Sequence, residues 1–538
     1  MKSLLVTLAA SLLLILAACS DPSSPQTERI YEMKQYSADE SVIPQSATEA
    51  KSEDLLLNKS HANENFNTED YAPIIENAFL AAASNPLSTF SIDVDEASYS
   101  NVRRYLQNGS IPPAGAVRIE EMINYFDYVY PKPGGKIPFT VNTETGVCPW
   151  NTRHRLVHIG LQGREIPVEN LPPANLVFLV DVSGSMYDAN KLPLVKESLK
   201  MLTQRLREQD KVALVVYAGN AGLVLPSTPG SNKQKIMDAI NELEAGGSTA
   251  GGEGLILAYK VARQNFLPGG NNRIILATDG DFNVGPSSDD EMVSLIEEQR
   301  KSGVFLSVLG YGMGNYKDNK MQLIADKGNG NHSYIDNISE ARKVLVNEFG
   351  STLFTIANDV KIQVEFNPAK VQAYRLIGYE NRILASEDFN DDTKDAGELG
   401  SGHTVTALYE VIPAGVESDF TNQLHNLKYQ SPRAITGTQS DEMMTIQLRY
   451  KEPQGNKSSL ITEVVKDGHL TIEKTSDNYR FSAAVAGFGL LLRNSAYKQS
   501  ASFEQVIRLA KSAKGQDANG YRSEFIQLVE MAGSMVKN

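Results

Sequence analysis

The chain has 538 residues, of which 41% are hydrophobic and 22% are charged, a composition typical of a globular protein with several domains. Its formal net charge of −14 argues against nucleic-acid binding, which needs a basic surface, and against electrostatic docking on anionic lipid. With two cysteines in the whole sequence, several disulfides are excluded, and stability has to come from a buried hydrophobic core.

The first residues have the pattern of a secretory signal. Lys2 precedes an apolar stretch at residues 4–18, which is too short to be a transmembrane span. Leu16-Ala17-Ala18-Cys19 resembles the bacterial lipobox, and this resemblance implies cleavage before Cys19 and attachment of lipid to its sulfur. Residues 1–18 are therefore predicted to be a lipoprotein signal peptide. An ordinary cleaved signal followed by a chance cysteine is the alternative.

A lipid anchor on Cys19 predicts a position in the bacterial cell envelope, facing the periplasm or the surface. Bacteria with two membranes commonly retain lipoproteins with Asp after the cysteine at the inner membrane, so Ser20 slightly favours the outer membrane. Residues 19–85 are rich in polar side chains and are predicted to form a flexible tether. Cys148 is then left without an intramolecular partner. It is either reactive, bonded to another chain or, beside the single tryptophan, a buried inert thiol.

Residues 86–166 mix strand and helix patterns and are predicted to be an α+β segment. Two helical stretches, near residues 96–107 and 118–126, lie between strand-like stretches. The first of those strands, at residues 90–95, alternates in polarity and places Asp93 and Asp95 on its polar face. Acids at alternate positions usually form a solvated strand face; a catalytic or metal-binding acid pair is the alternative.

Farther along, an apolar run at residues 176–180 ends at Asp181, and Ser183 and Ser185 follow at alternate positions. The run predicts a buried parallel strand, and ligands of open α/β sheets bind beyond the carboxyl ends of such strands. One carboxylate and two hydroxyls are hard oxygen ligands, which suit Mg²⁺ or Ca²⁺. These residues therefore form a candidate metal site.

Two downstream loops extend this candidate site. A glycine-rich loop at residues 246–252 carries Thr249, and a second buried-strand run at residues 273–278 ends before Asp279. In this order and spacing the residues resemble the von Willebrand factor A (VWA) domain and its metal-ion-dependent adhesion site. The resemblance covers residues 174–350. A Rossmann-like sheet with polar strand ends and no metal is the alternative.

The VWA resemblance implies a doubly wound, mostly parallel sheet in the α/β class. It implies Mg²⁺, or Mn²⁺ or Ca²⁺, as the metal, and an Asp or Glu carboxylate of a bound protein in the open coordination position. Asp281 either adds charge around the ligands or is a plain turn acid. The implied metal ligands are Asp181, Ser183, Ser185, Thr249 and Asp279.

Residues 356–538 are predicted to form a β-rich and then helical module. The order of tether, α+β segment, VWA domain and this module resembles the bacterial YfbK-type VWA lipoproteins. Because the sequence has no phosphate-binding loop and no His-Glu-x-x-His motif, we expect neither nucleotide binding nor enzymatic activity. The expected function is metal-dependent binding of a protein partner; a scaffold role in an envelope or secretion assembly, with a purely structural metal, is the alternative.

Overall fold

The computed structural model describes residues 68–135, 137–248, 251–280, 289–348, 354–394, 396–421, 440–453, 455 and 457–537. The predicted signal peptide, Cys19 and the first part of the predicted tether lie outside these residues, and so do Thr249 and Asp281.

The described chain begins with a segment of two short strands, two helices and two long strands. Ile119 to Asn124 is entirely buried, which is unusual for a helix that carries two glutamates. The elements are β1 (Leu80–Ala81), β2 (Leu87–Ser91), α1 (Ala97–Gln107), α2 (Ile119–Asn124), β3 (Phe139–Cys148) and β4 (Asn151–Gly163).

The VWA region follows as alternating strands and helices. Its strands form a sheet in the order β10-β9-β8-β5-β6-β7, in which all neighbours are parallel except the β6–β7 pair. The strands are β5 (Ala174–Asp181), β6 (Lys211–Tyr217), β7 (Ala221–Pro229), β8 (Asn271–Thr278), β9 (Phe305–Tyr311) and β10 (His332–Ile335). The helices are α3 (Leu192–Arg205), α4 (Lys233–Asn241), α5 (Gly251–Gln264), α6 (Asp289–Arg300), α7 (Asp318–Lys327) and α8 (Ile338–Arg342).

Helices cover both faces of this sheet. Strand β5 is buried along its whole length because α3, α4 and α8 pack on one face and α5, α6 and α7 on the other. The predicted doubly wound, mostly parallel α/β sheet is confirmed. Sequence patterns missed the antiparallel edge strand β7, helix α7 and the short strand β10. Helix α8 is followed by a π-helical turn at Lys343–Asn347.

The remaining chain supplies strands and then helices. The strands are β11 (Thr355–Phe366), β12 (Val371–Ile377), β13 (Ile383–Leu384), β14 (Gly397–Gly400), β15 (Thr404–Pro413), β16 (Glu442–Lys451) and β17 (Ser458–Lys466). The helices are α9 (Asp477–Leu492), α10 (Phe503–Ser512) and α11 (Tyr521–Lys537). Every helix in the described part of the chain falls short of the length and apolar character that crossing a membrane requires.

The segments before and after the VWA region are not separate modules. One antiparallel sheet has the order β1-β12-β15-β4-β3, and a second has the order β13-β2-β11-β16-β17, with β14 also on β11. The apolar faces of these two sheets share one core, and α1, α2 and α9 to α11 share another. The expected division into residues 86–166 and 356–538 is corrected accordingly: strands from both segments pair with each other, and the VWA domain lies between them in sequence.

The predicted tether also ends earlier than expected. Residues 68–85 belong to the folded part: Phe79 and Ala82 are buried, and β1 pairs with β12. Farther upstream, Glu69 binds Arg104 through both carboxylate oxygens and accepts a hydrogen bond from the backbone of Gly314. The polar composition of this stretch predicted a flexible tether. Its polar side chains instead bond to residues that are distant in the sequence, which fixes the stretch in place.

Buried ion pairs join the VWA domain to the flanking segments. Arg103 of α1 binds Asp336 and Glu340, which lie after β10 and on α8. Arg118 binds Asp318 of α7. Asp93 and Asp95, expected on a solvated strand face, follow the end of β2 instead and bind Arg382, and Asp95 is 2% exposed. That expectation was wrong for Asp95, which is buried against Arg382, whereas the side chain of Asp93 is 27% exposed.

Candidate metal site

The site lies at the carboxyl edge of the VWA sheet, where three neighbouring strands end on polar residues. Asp181, Tyr217 and Thr278 are the last residues of β5, β6 and β8, respectively. Parallel strands end at the same edge, so residues that are 97 positions apart in the sequence meet there. This convergence follows from the alternation of strands and helices.

Asp181 is fully buried and accepts hydrogen bonds at both carboxylate oxygens. Its Oδ1 accepts from the backbone N–H of Ser183 at 2.9 Å, and its Oδ2 accepts from Tyr217 at 3.1 Å and Thr278 at 3.2 Å. Burial, together with the charge of nearby Asp279, raises the pKa of Asp181 to about 6 despite these bonds. The carboxylate therefore lies in a place that favours a compensating cation.

Ser183 and Ser185 bring two hydroxyls to the same edge. Their Oγ atoms are 3.0 Å apart, and Ser185 also hydrogen-bonds to Asp279. Ser183 is 2% exposed whereas Ser185 is exposed, so the pair leads from the buried carboxylate towards solvent. Gly184 between them donates its N–H to the carbonyl of Gly247, 3.0 Å away.

Asp279 is also fully buried, but it has a cation beside it. Lys191 Nζ lies 2.9 Å from Oδ2 of Asp279, and the side-chain amide of Asn315 donates to the same oxygen at 3.0 Å. Burial alone would raise the pKa of Asp279, but the hydrogen bond from Asn315 and the charge of Lys191 hold it below its ordinary value. Asp279 therefore has a lowered pKa beside a cation, whereas Asp181 has a raised pKa.

Thr249 and Asp281 lie outside the described residues. The residues that precede Thr249 are described. Gly246 donates to the carbonyl of Val182 at 2.7 Å, and the carbonyl of Gly247 accepts from Gly184. The loop that carries Thr249 is therefore bound to the loop that carries Ser183 and Ser185. Helix α5 begins directly after it, at Gly251.

These side chains fit a hard divalent cation. Within the described ranges no three His, Cys, Asp or Glu side chains form a metal-ligand cluster, and this site has two carboxylates and two hydroxyls. Such a set holds Mg²⁺, Mn²⁺ or Ca²⁺ only with further oxygen ligands from water or a partner. The un-neutralised buried carboxylate of Asp181 is the feature that favours a metal over a dry polar strand end.

Sequence analysis missed Lys191 and Asn315, the two partners of Asp279. Asn315 lies in the glycine-rich loop after β9, at residues 312–315, which reaches the same edge because β9 is parallel to β8. A glycine-rich loop after a buried strand is a sequence signal from which Asn315 could have been predicted at this edge. Lys191 precedes α3, and its sequence context gave no sign that its side chain would be buried.

Family models match three stretches of the chain. The model described as "von Willebrand factor type A domain" matches residues 175–347, the one described as "von Willebrand factor" matches residues 65–158, and "Uncharacterized protein YfbK, C-terminal" matches residues 351–535. YfbK of Escherichia coli strain K12 is 45% identical over 473 residues, which cover 86% of this chain and 81% of that protein. The chain belongs to the YfbK family. The predicted VWA domain and YfbK-type architecture are confirmed.

Other matches cover part of the YfbK-family chain or have low sequence identity. Protein sll0103 of Synechocystis sp. is 31% identical over 193 residues, covering 35% of this chain and 44% of its own. Among solved structures, the von Willebrand factor type A protein from Catenulispora acidiphila covers 83% of this chain and 90% of its own, at 14% identity and a TM-score of 0.38.

Proposed function

We propose that this YfbK-family chain is a binding protein whose VWA domain holds a divalent cation and uses it to grip a carboxylate of another protein. The observation that carries the proposal is the meeting of Asp181, Ser183 and Asp279 at one edge of the sheet. Asp181, Ser183, Ser185, Thr249 and Asp279 would hold the metal. Mg²⁺ is the favoured ion, with Mn²⁺ and Ca²⁺ as alternatives.

The chemistry of the site supports an acidic partner. When bound, the cation supplies an open coordination position that attracts an Asp or Glu carboxylate, and this attraction is strong where water is partly excluded. Ser185 and the neighbouring Tyr187 are exposed, and Tyr187 is 80% accessible, so a partner can reach the site from solvent. We assign no catalytic role to these residues and propose binding, with no enzymatic activity, as the task of the domain.

The proposal includes an envelope location. Cys19 would carry the lipid, and the residues between Cys19 and Thr68 would connect the anchor to the folded part, with the outer membrane slightly favoured over the inner. Two signals in the sequence support this: the apolar stretch before Cys19 and the lipobox-like tetrapeptide. Mass spectrometry of the protein purified from membranes tests it, since the N-terminal peptide has to begin with an acylated Cys19.

The deciding experiment combines metal binding with partner capture. Calorimetry would measure Mg²⁺ binding by wild type, by Asp181→Ala and by Asp188→Ala, which removes an exposed acid seven positions along the same loop. The same three proteins would then capture partners from envelope extract, with Mg²⁺ or with chelator. We expect wild type and Asp188→Ala to bind Mg²⁺ and retain one set of proteins only with the metal, and Asp181→Ala to do neither.

The scaffold alternative predicts a different outcome of the same experiment. If Mg²⁺ binds and stabilises wild type but the captured proteins are identical in every condition, the metal is structural and the partner surface lies elsewhere. If wild type binds no divalent cation, the metal-dependent proposal fails. Circular dichroism of each variant separates loss of the site from loss of the fold.

A further inference from the structure

A second candidate site lies near the other end of the VWA sheet, where the domain meets the flanking sheets. There a cavity of about 330 Å³ is lined by residues of β8, α7, β14 and the segment around β13. Arg273 lies near the start of β8, whereas Asp279 follows the end of the same strand, so the two residues are at opposite ends of the strand. The cavity is therefore separate from the candidate metal site.

Arg273 is a buried cation that forms no ion pair within the described part of the chain. It is 2% exposed; one nitrogen donates to the hydroxyl of Ser307 at 2.7 Å, and Nε has no hydrogen-bond partner within the described residues. Glu398 also lines the cavity and attracts Arg273, but its Oε2 accepts from Thr355 and no ion pair joins the two in the described structure. A guanidinium stays protonated at any ordinary pH, so its buried charge favours an incoming carboxylate.

The acidic residues of the same cavity have too little positive charge beside them, whereas Arg273 has too little negative charge. Asp93 and Asp326 both line it and both lie 3.0 Å from Arg382, which also binds Asp95. The single guanidinium of Arg382 therefore forms ion pairs with three carboxylates. Burial raises the pKa of Asp326 to about 6, and repulsion from Asp93 contributes. This acidic cluster has a deficit of positive charge.

The other cations of the lining do not remove that deficit. Lys327 is bound to Glu297 at 2.8 Å, and Arg300 donates to the side-chain amide of Asn329. His403 is half-buried, and desolvation lowers its pKa to about 4, so it is neutral at physiological pH. A ligand with a carboxylate alone would leave the acidic cluster short of a cation, and a ligand with an amine alone would leave Arg273 unpaired.

We propose that this cavity binds a small zwitterion, a free α-amino acid or a short peptide, with the carboxylate on Arg273 and the ammonium on Asp93 and Asp326. The volume is at the lower end of the range of roughly 300–1,000 Å³ that small-molecule sites occupy, which suits a ligand of this size. Asp93 and Asp326 have side chains that are 27% and 29% exposed, so the acidic cluster is open to solvent. The site does not depend on the metal proposal.

The test compares zwitterions with singly charged analogues. Calorimetry and saturation-transfer NMR on the purified full chain would use glycine, L-alanine, L-glutamate, L-lysine and alanyl-alanine, with acetate and methylammonium as comparators. At least one zwitterion is expected to bind with one-to-one stoichiometry and at least about tenfold more tightly than either comparator. Asp188→Ala, which removes an exposed acid outside the cavity lining, should leave this binding unchanged.

Variants of the cavity decide whether the binding is at this place. Asp93→Asn, at a partly exposed position, should reduce the affinity for the zwitterion to that for acetate, and Arg273→Met should abolish both. Arg153→Met, at an exposed arginine outside the cavity, is the matched control and should behave as wild type. Acetate binding as tightly as every zwitterion would make this a plain anion site and overturn the proposal. Absence of saturable binding up to about 10 mM for the whole panel would also overturn it.

Discussion

Lys191 lies with its Nζ 2.9 Å from Oδ2 of Asp279, so a buried ammonium group stands beside a predicted metal ligand. The same Nζ lies 3.2 Å from the side-chain oxygen of Asn315. Gly312 leaves room for the lysine stem, because a Cβ at that position would lie 2.4 Å from Cε of Lys191. The protein thus places a positive charge of its own next to the position that a divalent cation would take.

We expect Lys191→Met to bind Mg²⁺ at least about tenfold more tightly than wild type. Repulsion between a single and a double charge a few ångströms apart amounts to several kcal/mol even at a high effective permittivity. Removing the ammonium removes this repulsion, while Asn315 still holds Asp279 in place. Titration calorimetry with Mg²⁺ or Mn²⁺ measures the change.

The control for this prediction is Lys196→Met. Lys196 donates to the backbone carbonyls of Asn241 and Leu243, so its loss changes the net charge equally without touching Asp279. If Lys191→Met bound the metal more weakly than wild type, the ammonium would serve to orient Asp279, and the repulsion argument would be wrong.

Asp181→Asn should abolish Mg²⁺ binding and at the same time stabilise the metal-free protein. The pKa of Asp181 is raised in the folded state to about 6, so its favourable contribution is present below its ordinary value of 3.8 and is lost as the pH rises to 6. Above pH 6 the buried charge costs about 3 kcal/mol, of which the amide should restore about 1–3 kcal/mol. Urea unfolding of wild type and variant at pH 8 with chelator measures the stability change of the metal-free protein. The same unfolding with Mg²⁺ measures the stabilisation by bound metal.

Wild type should gain stability with Mg²⁺ in that experiment, since a ligand that binds only the folded state stabilises it. The Asp181→Asn variant should not respond to the metal. Equal stability of the two proteins in chelator would show that Asp181 is compensated by a group other than the metal.

The VWA fold and most of its site followed from local patterns. The run at residues 176–180 and the run at residues 273–278 are apolar on both faces, and such runs mark central parallel strands whose ends converge. Strand β7 was missed because exposed residues such as Leu223 and Val224 break the alternation on an edge strand. Lys191 was missed because a long charged side chain in sequence usually indicates solvent exposure.

The flanking architecture was not predictable from the same patterns. Strand β2 pairs with β11, whose residues lie more than 260 positions away. The sequence of neither strand indicates which strand it pairs with. Alternating polarity identifies a strand and its buried face, but register and pairing depend on the packing of the whole chain. For the same reason Asp95 was expected on a solvated face, although it binds Arg382 and is buried.

Arg103→Met should destabilise the protein by about 3–5 kcal/mol, because it leaves buried carboxylates without their cation. Arg103 is 1% exposed and binds Asp336, Glu340 and Glu524 at 2.5, 2.7 and 3.0 Å. Urea unfolding at pH 7 measures the loss, with the exposed Arg153→Met as control. The second substitution Glu340→Gln in the Arg103→Met background should recover part of it. A loss below about 1 kcal/mol would mean that this ion-pair cluster is not what holds α8 to α1.

Buried neutral histidines make the fold sensitive to mild acid. Burial lowers the pKa of His158 and His332 to about 3. A folded-state pKa below the unfolded value of about 6.5 means that stability is fully present above pH 6.5 and is lost as the pH falls towards the folded pKa. At pH 5 each such histidine should cost about 2 kcal/mol relative to pH 7.5.

His158→Gln isolates this contribution. Glutamine keeps hydrogen-bonding atoms for Tyr130 and Ser482, the two partners of the imidazole, but cannot take up a proton. Carboxyl groups with a raised pKa, such as Glu120 and Asp326, change stability in the opposite direction over the same interval, so the measured quantity is the difference between variant and wild type. Between pH 7.5 and pH 5 the variant should lose about 2 kcal/mol less free energy of unfolding than wild type. His469→Gln, at an exposed histidine, should show the wild-type dependence; an equal dependence for His158→Gln would mean that the buried imidazole is protonated in the folded state.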